Sequence, residues 1–127
     1  MSELLKYSLE FQINSSVGIL YKRLSNPSGL AEWFADDVIL NKKTYVFYWD
    51  GSEQNAKLLK KKENEFIRYK WEDTDDESFF EFLIQIDEMT SDIALIITDF
   101  AENEYEKEEQ INLWEKQVES LKRAIGS

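Results

Sequence analysis

Acidic side chains beside apolar ones are the parts of this sequence that could carry acid–base chemistry. Glu81 stands between Phe80 and Phe82, where burial would raise its pKa and make it a general acid. If the two phenylalanines face inward, however, strand alternation turns Glu81 towards solvent. Asp99 shares the parity of Ile97. We therefore expect Asp99 either at the mouth of a pocket or, as the simpler interpretation, at a strand end where the next turn begins.

Most other kinds of catalytic centre are excluded by composition. The 127 residues contain no histidine and no cysteine, which removes the usual zinc and haem ligands, thiolate nucleophiles and disulfides. The serines have no visible base to activate them. The acidic loop at 73–77 lacks the central glycine and the distant bidentate glutamate of a calcium-binding EF-hand loop. We therefore expect no catalytic residues, no metal ion and no cofactor, and predict that the protein is not an enzyme.

The net charge of the chain argues against two classes of binding partner. The formal net charge is −11, which repels nucleic acid and anionic membrane surfaces, so neither is expected as a partner. The longest aliphatic run, 93–97, is far short of the roughly 20 residues that span a bilayer. The first residues lack the features of an export signal, which predicts a cytoplasmic protein. The basic cluster Lys57, Lys60, Lys61 and Lys62 either docks an acidic partner or, more simply, protects a strand edge from aggregation.

Periodicity predicts the elements that position these residues. Residues 6–13 alternate as a strand, and a short amphipathic helix follows the capping residues 14–16. A cluster of helix breakers occupies 25–29, and one or two helical turns are expected over 30–34. The next segments are dense in β-formers or alternate with period two, and they predict six further strands at 38–40, 44–49, 54–62, 65–71, 78–86 and 92–100.

The last segment is predicted to be one long helix. Its apolar residues recur at intervals of three and four and form one stripe: Ile111, Trp114, Val118, Leu121 and Ile125. Strands followed by a long helix indicate an α+β fold with an antiparallel sheet. This helix is the one predicted element long enough to cover the sheet. We therefore expect a single domain over 1–127, in which six or seven strands curve around the helix and two short helices follow the first strand.

Three stretches in this order resemble the helix-grip fold of the START-like (SRPBCC) superfamily, and in particular the family named for the activator of the heat-shock protein 90 ATPase. They are 24–35 (LSNPSGLAEWFA), 66–71 (FIRYKW), and 95–100 (LIITDF) with the tryptophan-bearing helix that follows. The resemblance implies a cavity between the curved sheet and the long helix, which in many relatives holds a lipophilic molecule. It does not imply one activity, because the superfamily includes carriers, enzymes and co-chaperones.

The aromatic residues form the candidate site. Trp33 and Phe34 are expected to act as a lid over a ligand pocket. The expected walls are Trp49, Tyr69, Trp71, Phe82, Ile97, Trp114 and Val118. The same spacing also suits a closely packed core.

Three functions remain open. The leading hypothesis is non-enzymatic binding of a small lipophilic molecule. The alternative is a co-chaperone-like module that binds a chaperone or another protein through its surface. A third possibility is an enzyme that uses only carboxylates and tyrosines, which would require a pair of inward carboxyl groups.

Overall fold

A computed structural model describes residues 3–126 and contains one sheet, two short helices and one long helix. The elements in chain order are β1 (Leu5–Ile13), α1 (Val17–Ser25), α2 (Pro27–Leu30), β2 (Asp37–Asn41), β3 (Thr44–Trp49), β4 (Ser52–Lys62), β5 (Phe66–Trp71), β6 (Phe80–Ile86), β7 (Ile93–Ala101) and α3 (Glu104–Ile125). The predicted order of elements is therefore confirmed, with small shifts at the boundaries.

The sheet is antiparallel throughout and its strands lie in the order β1-β7-β6-β5-β4-β3-β2. Strands β2 to β7 form a meander in which each strand pairs with the next along the chain. The chain leaves β1 through α1 and α2, and β7 returns to pair with β1. The curved sheet, the long C-terminal helix and the two short helices after the first strand confirm the predicted helix-grip α+β fold.

The two short helices differ from the sequence prediction in one respect. The residues predicted to break the chain, 25–29, include most of α2, and the predicted helical stretch 30–34 is instead largely a turn. Pro27 occupies the first turn of α2, where a missing backbone N–H costs nothing because no partner exists for it. The break between the helices is confined to Asn26, whose backbone is extended.

The long helix α3 has a defined beginning and end. The side chain of Asn103 accepts a hydrogen bond from the Glu106 backbone N–H at 2.8 Å, which caps the first turn. Gly126 ends the helix with a positive φ of 74°, a conformation that glycine adopts without steric cost. Of the predicted apolar stripe, Trp114, Val118 and Leu121 are buried, while its two outer members are partly buried.

The core lies between the concave face of the sheet and the helices. Four rings from the middle strands, those of Phe47, Tyr69, Phe80 and Phe82, are at most 1% exposed. Their ring centroids lie 4.9 to 6.3 Å apart wherever two of them are in contact. These distances are those of directly packed aromatic pairs, so the strands' inward faces form a filled aromatic core.

Charged side chains of the strands lie on the convex face of the sheet, as strand alternation predicts. Glu81 points outward and accepts a hydrogen bond from Arg68 at 2.8 Å, which confirms the predicted orientation. The lysines of β4 are exposed, and Lys60, Lys61 and Lys62 pair with β5 beyond the end of the β3 ladder. This end of β4 therefore has one open side, where lysine discourages pairing with another chain.

The contact between α1 and α2 depends on one glycine. A Cβ added at Gly29 would lie 2.8 Å from the Cα of Arg23 and closer still to the Lys22 carbonyl oxygen. Both are backbone atoms that can move only if α1 moves. We expect Gly29→Ala to lower the free energy of unfolding by about 1 to 3 kcal/mol, measured by urea denaturation.

Gly18 provides the matched control. It lies in α1 with no atom within 4 Å of an added Cβ, so Gly18→Ala should leave stability unchanged or raise it by up to about 1 kcal/mol. Equal stability of the two variants would contradict the close helix–helix contact.

Candidate ligand-binding cleft

A cleft of about 720 Å³ lies between α3, the turn that follows α2, and the strands β3 to β5. Its walls combine aromatic rings, carboxylates and carboxamides. The residues that line it are Ala31, Glu32, Trp33, Phe34, Ala35, Asp36, Trp49, Gln54, Trp71, Asp99, Gln110, Leu113, Trp114, Gln117 and Ser120. The cleft is open to solvent on one side, and the aromatic core closes it on the other.

Phe34 is the central residue of the cleft's inner wall. Its ring contacts six other aromatic rings, which come from the turn, the sheet and α3: Trp33, Phe47, Trp49, Phe80, Phe82 and Trp114. It stacks on Trp114 at a centroid distance of 5.7 Å and meets Phe47 edge-on at 5.0 Å. Aromatic pairs in these geometries stabilise one another beyond simple burial.

The backbone of Phe34 connects the same elements. Its carbonyl oxygen accepts hydrogen bonds from Trp49 Nε1 at 2.7 Å and from Gln117 Nε2 at 2.9 Å. One donor belongs to β3 and the other to α3. The turn therefore holds the sheet and the helix at a set separation, and the cleft occupies the space that remains beside it.

The structure divides the nine predicted site residues into two groups. Five line the cleft, namely Trp33, Phe34, Trp49, Trp71 and Trp114. The other four lie in the core beneath it and are at most 1% exposed: Tyr69, Phe82, Ile97 and Val118. Ligand contact by any of the nine stays a prediction.

The expected lid residues lie at the inner wall. Trp33 and Phe34 are only 6% and 4% exposed. The Trp33 indole N–H donates to the Arg23 carbonyl at 2.7 Å, and its ring lies 5.4 Å from that of Phe82. Both residues therefore lie in the inner wall of the cleft, and their role as a lid stays a prediction.

Tyr69 supports the cleft from below. Its hydroxyl donates to the Leu24 carbonyl at 2.6 Å, and the neighbouring Tyr45 hydroxyl donates to the Ser25 carbonyl at 2.8 Å. These bonds satisfy the carbonyls at the end of α1. Burial raises the pKa of Tyr69 well above its usual value, so the phenol stays protonated and continues to donate.

Asp99 is a half-buried carboxylate of the cleft wall. Its Oδ2 accepts a hydrogen bond from Trp114 Nε1 at 3.0 Å, and its Oδ1 accepts from the Phe100 backbone N–H at 2.8 Å. Burial raises the pKa of Asp99 to about 6 because desolvation outweighs these hydrogen bonds. Asp99 lines the cleft, in line with the pocket alternative, and it lies two residues before the end of β7.

Three side chains next to this carboxylate are joined by hydrogen bonds. The Tyr7 hydroxyl donates to Gln110 Oε1 at 2.5 Å, and Gln110 Nε2 donates to Glu106 Oε1 at 3.1 Å. Burial and the adjacent Asp99 carboxylate raise the pKa of Tyr7. These hydrogen bonds link β1 to the first half of α3, which orients the helix over the end of β7.

Sequence reasoning missed the polar members of the cleft. Gln110 and Gln117 lie four residues before and three residues after Trp114, so they share its face of α3. Leu113 also lines the cleft, although it is 57% exposed and lies outside the predicted stripe. The helical spacing from Trp114 was the available signal for the two glutamines.

Two further findings concern the part of the chain that the structure describes. Within residues 3–126, no three Asp or Glu side chains come together in a way that could hold a metal ion. No helix in that range is both long enough and apolar enough to cross a membrane.

Comparisons with known proteins identify the family. A family model described as a START-like superfamily domain matches residues 1–127. A Bacteroides fragilis protein with a solution NMR structure is 35% identical, with a TM-score of 0.69, and the match covers 98% of this chain and 92% of that one. The chain therefore belongs to the START-like superfamily, which confirms the resemblance seen in the sequence.

More distant structures share the fold. The Aha1 dimer from Colwellia psychrerythraea is 17% identical with a TM-score of 0.79, over 95% of this chain and 96% of that one. A protein from Bacillus thuringiensis is 9% identical with a TM-score of 0.81, over 97% of this chain and all of the other. A search of curated proteins found no match.

The raised pKa of Asp99 predicts a specific dependence of stability on pH. In the folded protein the pKa of Asp99 is about 6, whereas its ordinary value is 3.8. Lowering the pH from above 6 to below 4 therefore removes a buried charge and favours the folded state. We expect the unfolding free energy of the wild type, relative to Asp99→Asn, to rise over that window by up to about 3 kcal/mol.

Chemical denaturation of both proteins at several pH values measures this difference. Surface carboxylates such as Asp76 and Asp87, whose pKa values are lowered by hydrogen bonds, titrate alike in both proteins and cancel. A difference that stays constant with pH would contradict the buried, ionisable Asp99.

Proposed function

We propose that this domain binds a small lipophilic molecule in the cleft between the sheet and α3, without catalysing a reaction on it. The observation that carries the proposal is a cleft of about 720 Å³ whose walls include Trp49, Trp71 and Trp114. Sites for small molecules commonly enclose roughly 300 to 1,000 Å³ and are lined by apolar and aromatic side chains with a few polar groups. The cleft has this size and this composition.

The exposed parts of the aromatic walls supply the driving force. Trp49 and Trp71 are half-buried, and their ring centroids lie 6.1 Å apart. Leu113 adds an exposed apolar side chain on the opposite, helical wall. A ligand between these surfaces would remove apolar area from water, and this favours binding by roughly 25 cal/mol per Å² before the costs of association.

Tight packing beneath the cleft limits how deeply the ligand reaches. Phe82 and Ile97 are fully buried, and Val118 is 1% exposed. These side chains support the walls in our proposal, while the ligand itself touches the layer formed by Trp33, Phe34 and the three other tryptophans. The ligand therefore lies along α3 rather than inside a closed cavity.

The polar groups of the cleft suit binding better than catalysis. Both oxygens of Asp99 already accept hydrogen bonds from Trp114 and Phe100, which fixes the orientation of the carboxylate. We assign Asp99 a positioning role for the ligand. We also propose a cytoplasmic location for the domain.

A co-chaperone-like interaction module is the second candidate. The observation that favours it is an exposed apolar edge, because Ile39 and Leu40 of the outer strand β2 are 49% and 41% exposed. The exposed lysines of β4 offer a charged surface two strands further in. In this alternative the cleft is incidental, so blocking it would not affect the interaction.

Substitution at the cleft mouth tests the proposal. Leu113→Asn removes an exposed apolar group from the cleft wall, where it contributes little to folding. We expect it to weaken binding of the neutral lipophilic dye Nile red about tenfold, since losing one leucine contact costs about 1.5 kcal/mol or more. Fluorescence titration measures the dissociation constants.

Leu59→Asn is the matched control, because Leu59 is 49% exposed on β4 and does not line the cleft. It should bind the dye like the wild type. Equal weakening in both variants, or no saturable binding to the wild type, would contradict the proposed function and favour the interaction module.

A further inference from the structure

All charged side chains that line the cleft are acidic. Its lining includes the carboxylates of Glu32, Asp36 and Asp99 and no lysine or arginine. Glu32 is compensated by an ion pair with Arg23 at 3.1 Å. Neither of the other two carboxylates forms an ion pair within residues 3–126. Among the described residues, the cleft therefore presents two carboxylates without ion-pair partners, in a protein whose net charge is already −11.

The hydrogen-bond donors of the walls are largely used within the protein. Three indole N–H groups and one N–H of each carboxamide donate to protein acceptors, and the residues concerned are Trp33, Trp49, Trp114, Gln54, Gln110 and Gln117. A carboxylate oxygen can accept more than one hydrogen bond, so both oxygens of Asp99 retain acceptor capacity. Within the described part of the chain, the Trp71 indole N–H and the second N–H of each carboxamide are not used in this way, so the walls distinguish cations from anions by their charge and not by a lack of donors.

Aromatic rings line the same cleft as the Asp99 carboxylate. Trp114 donates to Asp99 and stacks on Phe34, and Trp71 lies 4.8 Å from Phe80 on the opposite wall. The faces of tryptophan rings attract organic cations, with the largest effect where water is excluded. The N–H edge of Trp114 points at Asp99, so a positive group there would meet the carboxylate, while the half-buried Trp49 and Trp71 offer ring surface in the same cleft.

We propose that the ligand is an organic cation, with an apolar body along α3 and the aromatic walls of the cleft, and an ammonium-type group held beside the Asp99 carboxylate. This inference rests on the proposed function of the cleft. An anionic lipid of the same size would have to place its charge against Asp36 and Asp99 with no cationic side chain in the wall. A neutral molecule would gain the apolar contacts alone.

Three probes with the same alkyl chain separate charge from hydrophobicity: decylammonium, decanoate and decanol. Calorimetric titrations below the micelle-forming concentrations, at a pH where Asp99 is ionised, give their affinities for the full chain. We expect decylammonium to bind at least about tenfold tighter than decanoate, with decanol between them. Asp99→Asn should reduce this preference about tenfold, and decanol measured on the same variant separates loss of the charge preference from loss of the cleft.

Glu108→Gln is the control for net charge. Glu108 is exposed on α3 and does not line the cleft, and its substitution removes the same single charge. This variant should keep the preference of the wild type. Equal affinities for the cation and the anion, or a preference that survives Asp99→Asn, would overturn the inference while decanol binding upholds the cleft. Failure of all three probes to bind would overturn both proposals.

Discussion

The packing of Phe34 is the contact on which the other features depend. Its ring joins six aromatic side chains from the turn, the sheet and α3, and its carbonyl oxygen joins β3 to α3 through Trp49 and Gln117. A curved sheet and a long helix do not by themselves determine the distance between them. The turn after α2 does so here, because one residue fills the space between the two layers and satisfies a donor from each.

The site follows from that arrangement. Because Phe34 fills the centre, the space that remains is a cleft along the middle of α3, with the core rings as its floor. Asp99 enters the wall where β7 passes beneath Trp114. Keeping this carboxylate buried costs stability when it is ionised, and residues that cost stability without adding to packing are typical of functional sites. The cost and the proposed binding role therefore concern the same side chain.

The sequence predicts the layers better than the cleft. Alternation along the strands predicts that Tyr69, Phe82 and Ile97 face inward, and the apolar stripe of the last helix places Trp114 and Val118 opposite them. Both predictions succeed because burial of these side chains follows the local periodicity of the chain. The cleft depends on how α3 is positioned along β7, which brings Asp99 to Trp114 across 15 residues. It also depends on the turn after α2, which buries Trp33 and Phe34, the two residues expected to form a lid. Such long-range placement leaves no periodic pattern in the chain.

Native mass spectrometry of the purified protein, compared with its denatured mass, tests the central claim most directly. The protein would be mixed with excess extract of the cells that produced it and separated from unbound material before measurement. We expect a mass excess that disappears on denaturation, falls in Leu113→Asn, and comes from a molecule with an apolar body. A mass equal to that of the bare chain under these conditions would contradict a ligand-binding cleft.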